Sequence, residues 1–367
     1  MTPVYSPLSL LPSLLIFWNK RRENSVKSNH PLDLHLISNG STHKLEMDLP
    51  RFVIEASEAE SLAQKSGLTV PQLLPTLVKS AQTLARPPIS NYHVGVVGLG
   101  SSGRIFFGGN LEFPGLPLHH SVHAEQFLIT NLILNAEPKI QYFAVSSAPC
   151  GHCRQFLQEI RDAPDIKIFI ASSENTNSDM KDEHNLNYYP LSHFLPDRFG
   201  PDDLLDKDVP LLLETHHNGL SFVNEDGNDH QNLCNGQISE HSVTLKSAAL
   251  EAANKSHAPY SKCPSGVAIM DSEGKIYKGS YMESAAYNPS LGPVQAALVA
   301  YVAGGNGGGY ERIVAAVLVE KEGPIVGQEQ TARMLLQLKI SNDRRNSLSL
   351  LSRNYVAFCN EHCSSPV

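Results

Sequence analysis

The chain repeats itself at a spacing of about 170 residues, and this constrains its fold more than any single motif does. Pro88-Ile89-Ser90, Val94, Gly95, Ser102-Gly103-Arg104-Ile105-Phe106, Gly108 and Glu112 come first. Pro259-Tyr260-Ser261, Gly266, Val267, Glu273-Gly274-Lys275-Ile276-Tyr277, Gly279 and Glu283 echo them. Each copy runs through a Pro-rich loop into an apolar helix, from His123 in one and Val294 in the other. Such a repeat implies two similarly folded domains, and a chain of 367 residues that is 41% hydrophobic can fill both cores. The copies part in their chemistry. Where the first has His123-Ala124-Glu125, the second has Val294-Gln295-Ala296-Ala297, and no Pro-Cys-x-x-Cys follows it. One copy can hold a metal and the other cannot.

Periodicity predicts a helix over 57–85, where Ser57 and Glu60 have capping-box spacing and Leu73, Leu74, Leu77 and Val78 share a face. Strands over 92–98 and 104–108, joined by Gly100-Ser101-Ser102-Gly103, form a hairpin. A helix over 123–134, a strand over 142–146, a helix over 153–160 and a strand over 166–170 follow. This alternation implies a layered α/β domain. The expected organisation is a disordered extension (1–46), an N-terminal helical segment (47–86), the metal-competent domain (87–212), a linker (213–243), the degenerate copy (244–340) and an atypical tail (341–367).

Composition removes several function classes. Against 37 Asp and Glu stand 29 Lys and Arg, a net charge of −8, which disfavours coating nucleic acid. No stretch approaches the ~20 apolar residues that cross a bilayer. In the extension, the apolar run 8–18 precedes Lys20-Arg21-Arg22, the reverse of a secretory signal, and Glu23 and Asp33 do not suit a transit peptide. The expectation is an untargeted extension, or a start placed ahead of Met47, and a cytoplasmic protein. Six cysteines in so long a chain make no disulfide framework and suit a reducing compartment. Gly98-Leu99-Gly100-Ser101-Ser102-Gly103 fits a dinucleotide fingerprint, but the strand-forming 104–108 follows it, so the phosphate-binding helix start is missing.

The strongest chemical signal is His123-Ala124-Glu125 followed by Pro149-Cys150-Gly151-His152-Cys153. Catalytic zinc takes three protein ligands and leaves one place for water, and His123, Cys150 and Cys153 supply three. Inside a regular helix His123 and Glu125 would point about 200° apart. They share a site only if the pair opens the helix, and Glu125 is then a base beside the metal and not a ligand. Cys-Gly-His-Cys alone fits a thioredoxin-type redox motif. With His-x-Glu upstream, the constellation is a known signature of zinc-dependent nucleobase deaminases. His152 is expected to face solvent and Arg154 to lie at the surface.

Further stretches carry a resemblance. They are 88–95, Gly109-Asn110-Leu111-Glu112-Phe113, Val122-His123-Ala124-Glu125-Gln126, 149–156, 195–201, Ser265-Gly266-Val267 and Glu283-Ser284-Ala285-Ala286-Tyr287-Asn288-Pro289. From about Met47 to Gln337 the chain resembles the two-domain, homodimeric cytidine deaminases. The resemblance implies a three-layer α-β-α fold with a mixed sheet, duplicated in one chain, and one Zn2+ per chain. It also implies hydrolysis of cytidine and deoxycytidine to uridine and deoxyuridine, as in pyrimidine salvage. Asn110 and Glu112 would bind the ribose hydroxyl from one strand face, and Tyr92 would line the sugar and base pocket. Phe199 would pack on the pyrimidine, and the Ala124 backbone would read the base carbonyl. A partner's second domain, around Ala286 and Tyr287, would close the site. The family ends its second domain on an apolar strand, for which Tyr355-Val356-Ala357-Phe358 is the candidate. Two alternatives are a polynucleotide deaminase with the same zinc chemistry and a non-catalytic zinc or redox module.

Overall fold

Runs of β-branched and aromatic residues, cut by glycine and proline, set the strands of this protein. The computed structural model describes residues 32–38, 41–47, 51–171, 186–222, 240–304, 308–340 and 355–361. The expectations placed on 1–31, 172–185 and 223–239 lie outside the described residues. In chain order the elements begin with β1 (Leu32–Ser38), β2 (Ser41–Met47), β3 (Val53–Ile54), α1 (Ala56–Ser66), α2 (Val70–Thr83), β4 (Gly95–Gly100) and β5 (Ile105–Gly109). There follow α3 (Ala124–Leu134), β6 (Ile140–Val145), α4 (Gly151–Phe156), β7 (Lys167–Ile170), β8 (Tyr189–Pro190) and α5 (Leu191–Phe194). The second half holds β9 (Leu220–Phe222), α6 (Glu240–Asn254), β10 (Ser265–Asp271), β11 (Ile276–Ser280), α7 (Pro293–Gly304), β12 (Ile313–Lys321), α8 (Glu329–Ile340) and β13 (Tyr355–Glu361).

The first sheet has the order β3-β5-β4-β6-β7-β8 and the second β11-β10-β12-β13-β9. Both are mixed: β6 pairs parallel with β7, β12 pairs parallel with β13, and the other neighbours run antiparallel. Four strands of each sheet, β5-β4-β6-β7 and β11-β10-β12-β13, share one order and one set of directions, so the repeat read in the sequence is a repeat of topology; the edge strands differ, β8 coming after its four in the chain and β9 before its own. The glycine-rich 98–103 is a strand end and hairpin turn between β4 and β5, as expected.

Side chains alternate across a strand, so neighbouring glycines admit helices on opposite faces. A Cβ on Gly95 would lie 2.3 Å from Gln82 N on α2, whereas one on Gly108 would lie 2.7 Å from Ala124 O on α3. Copy two repeats this at Gly266 against α6 and Gly279 against α7. Each sheet thus lies between helices, a three-layer α-β-α arrangement. Helices α3 and α7 are buried nearly all round. Each packs on its own sheet and against the other, which is where helices apolar on every side belong. One apolar core therefore runs through both copies, from Phe106, Phe127 and Phe143 to Val294, Leu298 and Val302.

Several expectations change. The helix expected over 57–85 is two helices, because Gly67 takes a left-handed φ of 68° and ends the first. Ser57 does not cap it; the N-cap is Glu55, and the capping box belongs to Thr69 and Gln72 at the start of α2. Pro75 inside α2 has no N–H for the carbonyl four residues back, and the Tyr188 hydroxyl donates to that Pro71 oxygen at 2.7 Å instead. The boundary expected at 87 falls within one layered unit, since α2 packs on β4 and β3 borders β5. Within the extension, β1 and β2 pair antiparallel from Leu32↔Met47 to Ser38↔Ser41, across the sequence Asn39-Gly40. In the tail, β13 enters the second sheet between β12 and β9, with Val317 opposite Tyr355 and Cys359 opposite Phe222.

Candidate active site

His123 is the N-cap of α3, with extended backbone at φ −77° and ψ 155°. Its side chain therefore leaves the helix in a direction helical residues cannot take, and Glu125 in the first turn points to the same place. Cys150 caps α4 in the same way, and Cys153 lies one turn in, fully buried. The three donor atoms converge. His123 Nδ1 is 3.5 Å from Cys150 Sγ and 3.3 Å from Cys153 Sγ, and the sulfurs are 3.7 Å apart. Zn–S bonds of about 2.3 Å and Zn–N bonds of about 2.0 Å in a tetrahedron separate ligand atoms by roughly 3.5–3.8 Å. The triplet fits zinc, and among the described residues it is the one such group of His, Cys and acidic side chains.

Beside it, the Glu125 carboxylate accepts from Cys153 Sγ at 3.2 Å, and the residue is 4% exposed. Burial lifts the Glu125 carboxyl above the usual carboxylate range. The Cys150 thiol is pulled down to about 3 by its hydrogen-bond contact with Cys153 and then by His123. Cys153 is pushed up by the hydrogen-bond contact with Cys150 and by burial. One sulfur thus already favours the thiolate that a metal requires, and the second gives up its proton when a cation takes the proton's place.

His152, expected to face solvent, is half-buried. Its ring stacks on His123 at 5.0 Å, and its Nε2 is buried without a partner among the described residues. Arg154 donates to the backbone, to Pro149 O at 2.7 Å and Phe194 O at 3.0 Å. Asn110 and Glu112 lie beyond the end of β5, on either side of Leu111, which bridges Arg86 and Val122. Asn110 accepts from Val94 N and donates to Tyr92 O, while Glu112 accepts from Ile89 N, Ser90 N and Ser90 Oγ. They clamp the 89–94 turn, on which Tyr92 stands 60% exposed with its hydroxyl 2.7 Å from Ser147 Oγ. Glu283 holds Tyr260 N and Ser261 in the same way, so the carboxylate clamp belongs to the repeated frame. Phe199 is half-exposed, and its carbonyl accepts from Gln155 on α4. Ala286 and Tyr287 are exposed in copy two. Gln126, whose Oε1 accepts from His123 N at 3.2 Å, went unnoticed in the sequence, although an N-cap followed three residues later by Gln is capping-box spacing.

Residues 70–169 match the family model described as the cytidine and deoxycytidylate deaminase zinc-binding region, and residues 191–333 match a second model of that description. Over 291 residues the chain is 62% identical to cytidine deaminase 1 of Arabidopsis thaliana, covering 79% of this chain and 95% of that protein. Over 297 residues it is 49% identical to cytidine deaminase 7 of the same plant, covering 79% and 90%. Over 293 residues it is 35% identical to the cytidine deaminase of Serratia proteamaculans, covering 79% and 88%. With zinc as the metal its ligand triplet fits, and with such identity along nearly the full length of these relatives, the chain belongs to the cytidine deaminase family.

Proposed function

We propose that this protein hydrolyses cytidine and deoxycytidine to uridine and deoxyuridine, releasing ammonia. The observation that carries the reading is the convergence of His123, Cys150 and Cys153 on one point, with the buried Glu125 carboxylate beside it. Bound there, zinc supplies the Lewis acidity that brings the pKa of a water down toward ~7. Glu125 takes the proton that this water loses and delivers it to ring N3, which makes C4 electrophilic. After the water oxygen has bonded to C4, Glu125 carries the second proton to the departing amine. One carboxylate serves as base and then acid.

Asn110 and Glu112 grip the ribose and hold the turn that carries Tyr92 against the sugar and base. The Ala124 backbone reads the base carbonyl, and the Phe199 ring covers the pyrimidine. Two chains pair so that the exposed Ala286 and Tyr287 of one close the site of the other. No helix among the described residues is long and apolar enough to cross a membrane. Glu125→Gln tests the reading: it should leave zinc bound and lower kcat on cytidine by at least ~10²-fold. Wild-type turnover in that variant overturns the assignment, and turnover of single-stranded oligonucleotide in place of free cytidine would make the protein a polynucleotide deaminase.

A further inference from the structure

Both ligand-bearing elements of copy one are tied by buried side chains to the same short loop of copy two. On α3, Gln126 accepts from His123 N and donates through Nε2 to Pro289 O at 3.0 Å. Beyond α4, Glu159 sits on the turn that continues the helix, six residues after Cys153, with its side chain wholly buried. Its carboxylate accepts from Ala285 N at 2.7 Å, from the Tyr260 hydroxyl at 2.7 Å and from His257 Nε2 at 3.3 Å. Copy two thus meets this one buried carboxylate with three donors. A carboxylate so deep in a core is retained only with its lone pairs satisfied, so the turn cannot slide without losing them.

The loop that receives both ties is itself fixed. Tyr287 N donates to Ser284 O at 2.8 Å, Ser290 N to Tyr287 O at 2.9 Å and Ser284 N to Ser290 Oγ at 3.0 Å. Tyr287 holds a φ of 61°, a left-handed conformation that a bulky residue keeps only when its surroundings impose it. We infer that the 284–290 loop of the metal-free copy is the jig that sets the metal site, Gln126 fixing the His123 side and Glu159 the Cys150 and Cys153 side. Gln126 and Glu159 are positioning residues: neither touches the ion, yet together they set the spacing between one imidazole and two sulfurs, which must hold within about 0.2 Å for zinc. The retained but metal-free copy thereby acts within its own chain. The inference rests on the deaminase reading for its kinetic consequence and on zinc alone for the rest.

The test is the rate at which the zinc-loaded, full-length protein gives up zinc to excess chromophoric chelator, measured beside kcat, KM for cytidine and the melting temperature. Gln126→Glu keeps the acceptor for His123 N and turns the donor facing Pro289 O into a carboxylate oxygen. Glu159→Gln sets an amide NH2 against donors, and Tyr260→Phe removes one hydroxyl, leaving a milder probe if the Glu159 variant does not fold. Arg86→Met is the control: it cuts another bond between the copies, Arg86 to Gly308 O at 3.1 Å, which ends elsewhere. Gln126→Glu and the Glu159 or Tyr260 variant should release zinc ~10-fold faster or more and lose kcat with KM little changed, while Arg86→Met releases zinc at the wild-type rate. Folded variants that keep zinc as the control does overturn the inference. Faster release in a protein that never deaminates cytidine would sink the functional reading and leave the positioning role standing.

Discussion

Under α3, a Cβ on Gly108 would come within 2.7 Å of Ala124 O and 2.9 Å of Leu128 N; under α7, one on Gly279 would come within 2.3 Å of Pro293 O and 2.1 Å of Ala297 N. These contacts set the register between the copies: His123 corresponds to Gly292, Glu125 to Val294 and Gln126 to Gln295, two residues away from the pairing of His123 with Val294 expected from the sequence. At the other ligand-bearing helix, Gln328 precedes α8 as Cys150 precedes α4, and its N–H donates to the buried Glu320 carboxylate at 2.7 Å. The second copy keeps the order of four strands, the helix placement and the clamped turn, and among the described residues it holds no group of metal ligands. The difference teaches that the frame does not need the ion. Catalysis is added at helix entries, where an N-cap side chain is outside the helix's own packing and can be exchanged without disturbing the core.

The sharpest way to break that comparison is to make copy one resemble copy two. His123→Gly should abolish zinc binding, seen by metal analysis, and reduce cytidine turnover below ~1%. The circular dichroism spectrum should stay that of the folded protein; its collapse would show that the ion, and not the core, holds the frame. Next in size are Gly108→Ala and Gly279→Ala, each expected to cost about 3 kcal/mol by denaturant unfolding, because backbone and not a pliable side chain lies in the way. Only Gly108→Ala should also weaken zinc binding, since Ala124 follows His123 directly.

A smaller effect compares the two hairpin turns. Burial works against the Glu137 carboxylate, but the Ser102 hydroxyl and amide and the Arg104 guanidinium hold its pKa below the usual carboxylate value. Asp271 plays this part in copy two, where Tyr277 and the Lys275 and Glu273 amides outweigh burial. A carboxylate whose pKa is depressed by folding stabilises the protein above its unfolded value of ~4.3 and ceases to do so as pH falls through the lower folded value. Glu137→Gln should therefore cost about 1–3 kcal/mol at pH 7, and the gap to wild type should close on acidification below pH ~4. Equal gaps at both pH values would dismiss the ionised clamp. The smallest effect concerns α1 and α2: Thr69→Ala should cost about 1 kcal/mol, whereas Ser57→Ala, inside α1 and off the cap, should stay within ~0.5 kcal/mol.

Legibility in the sequence followed the range of the physics. The hairpin at 100–103, the His123 and Cys150 helix entries and the Glu125 placement were readable because turn chemistry and helix geometry act over a few residues. The break at Gly67 and the β1–β2 hairpin were equally local and were passed over, although a glycine after the last helical turn and Asn39-Gly40 between alternating strands both signal them. The spacing of Asn110 and Glu112 is visible in the sequence, but that their oxygens accept from the amides of the 89–94 turn is not, because that turn comes beside them only in the fold. His152 was placed in water because nothing local says that an aromatic ring lies beside it.

By itself, the sequence determined the duplication, the layered α/β class and the ligand set, since each rests on residue types at fixed spacings and any chain with those spacings meets the same local rules. Only tertiary structure decided that β13 finds β12 and β9, that α3 and α7 bury each other, and that Glu159 meets Ala285. Those partners are far apart along the chain, and burial and the need to satisfy every buried polar group select them only once the layers have closed.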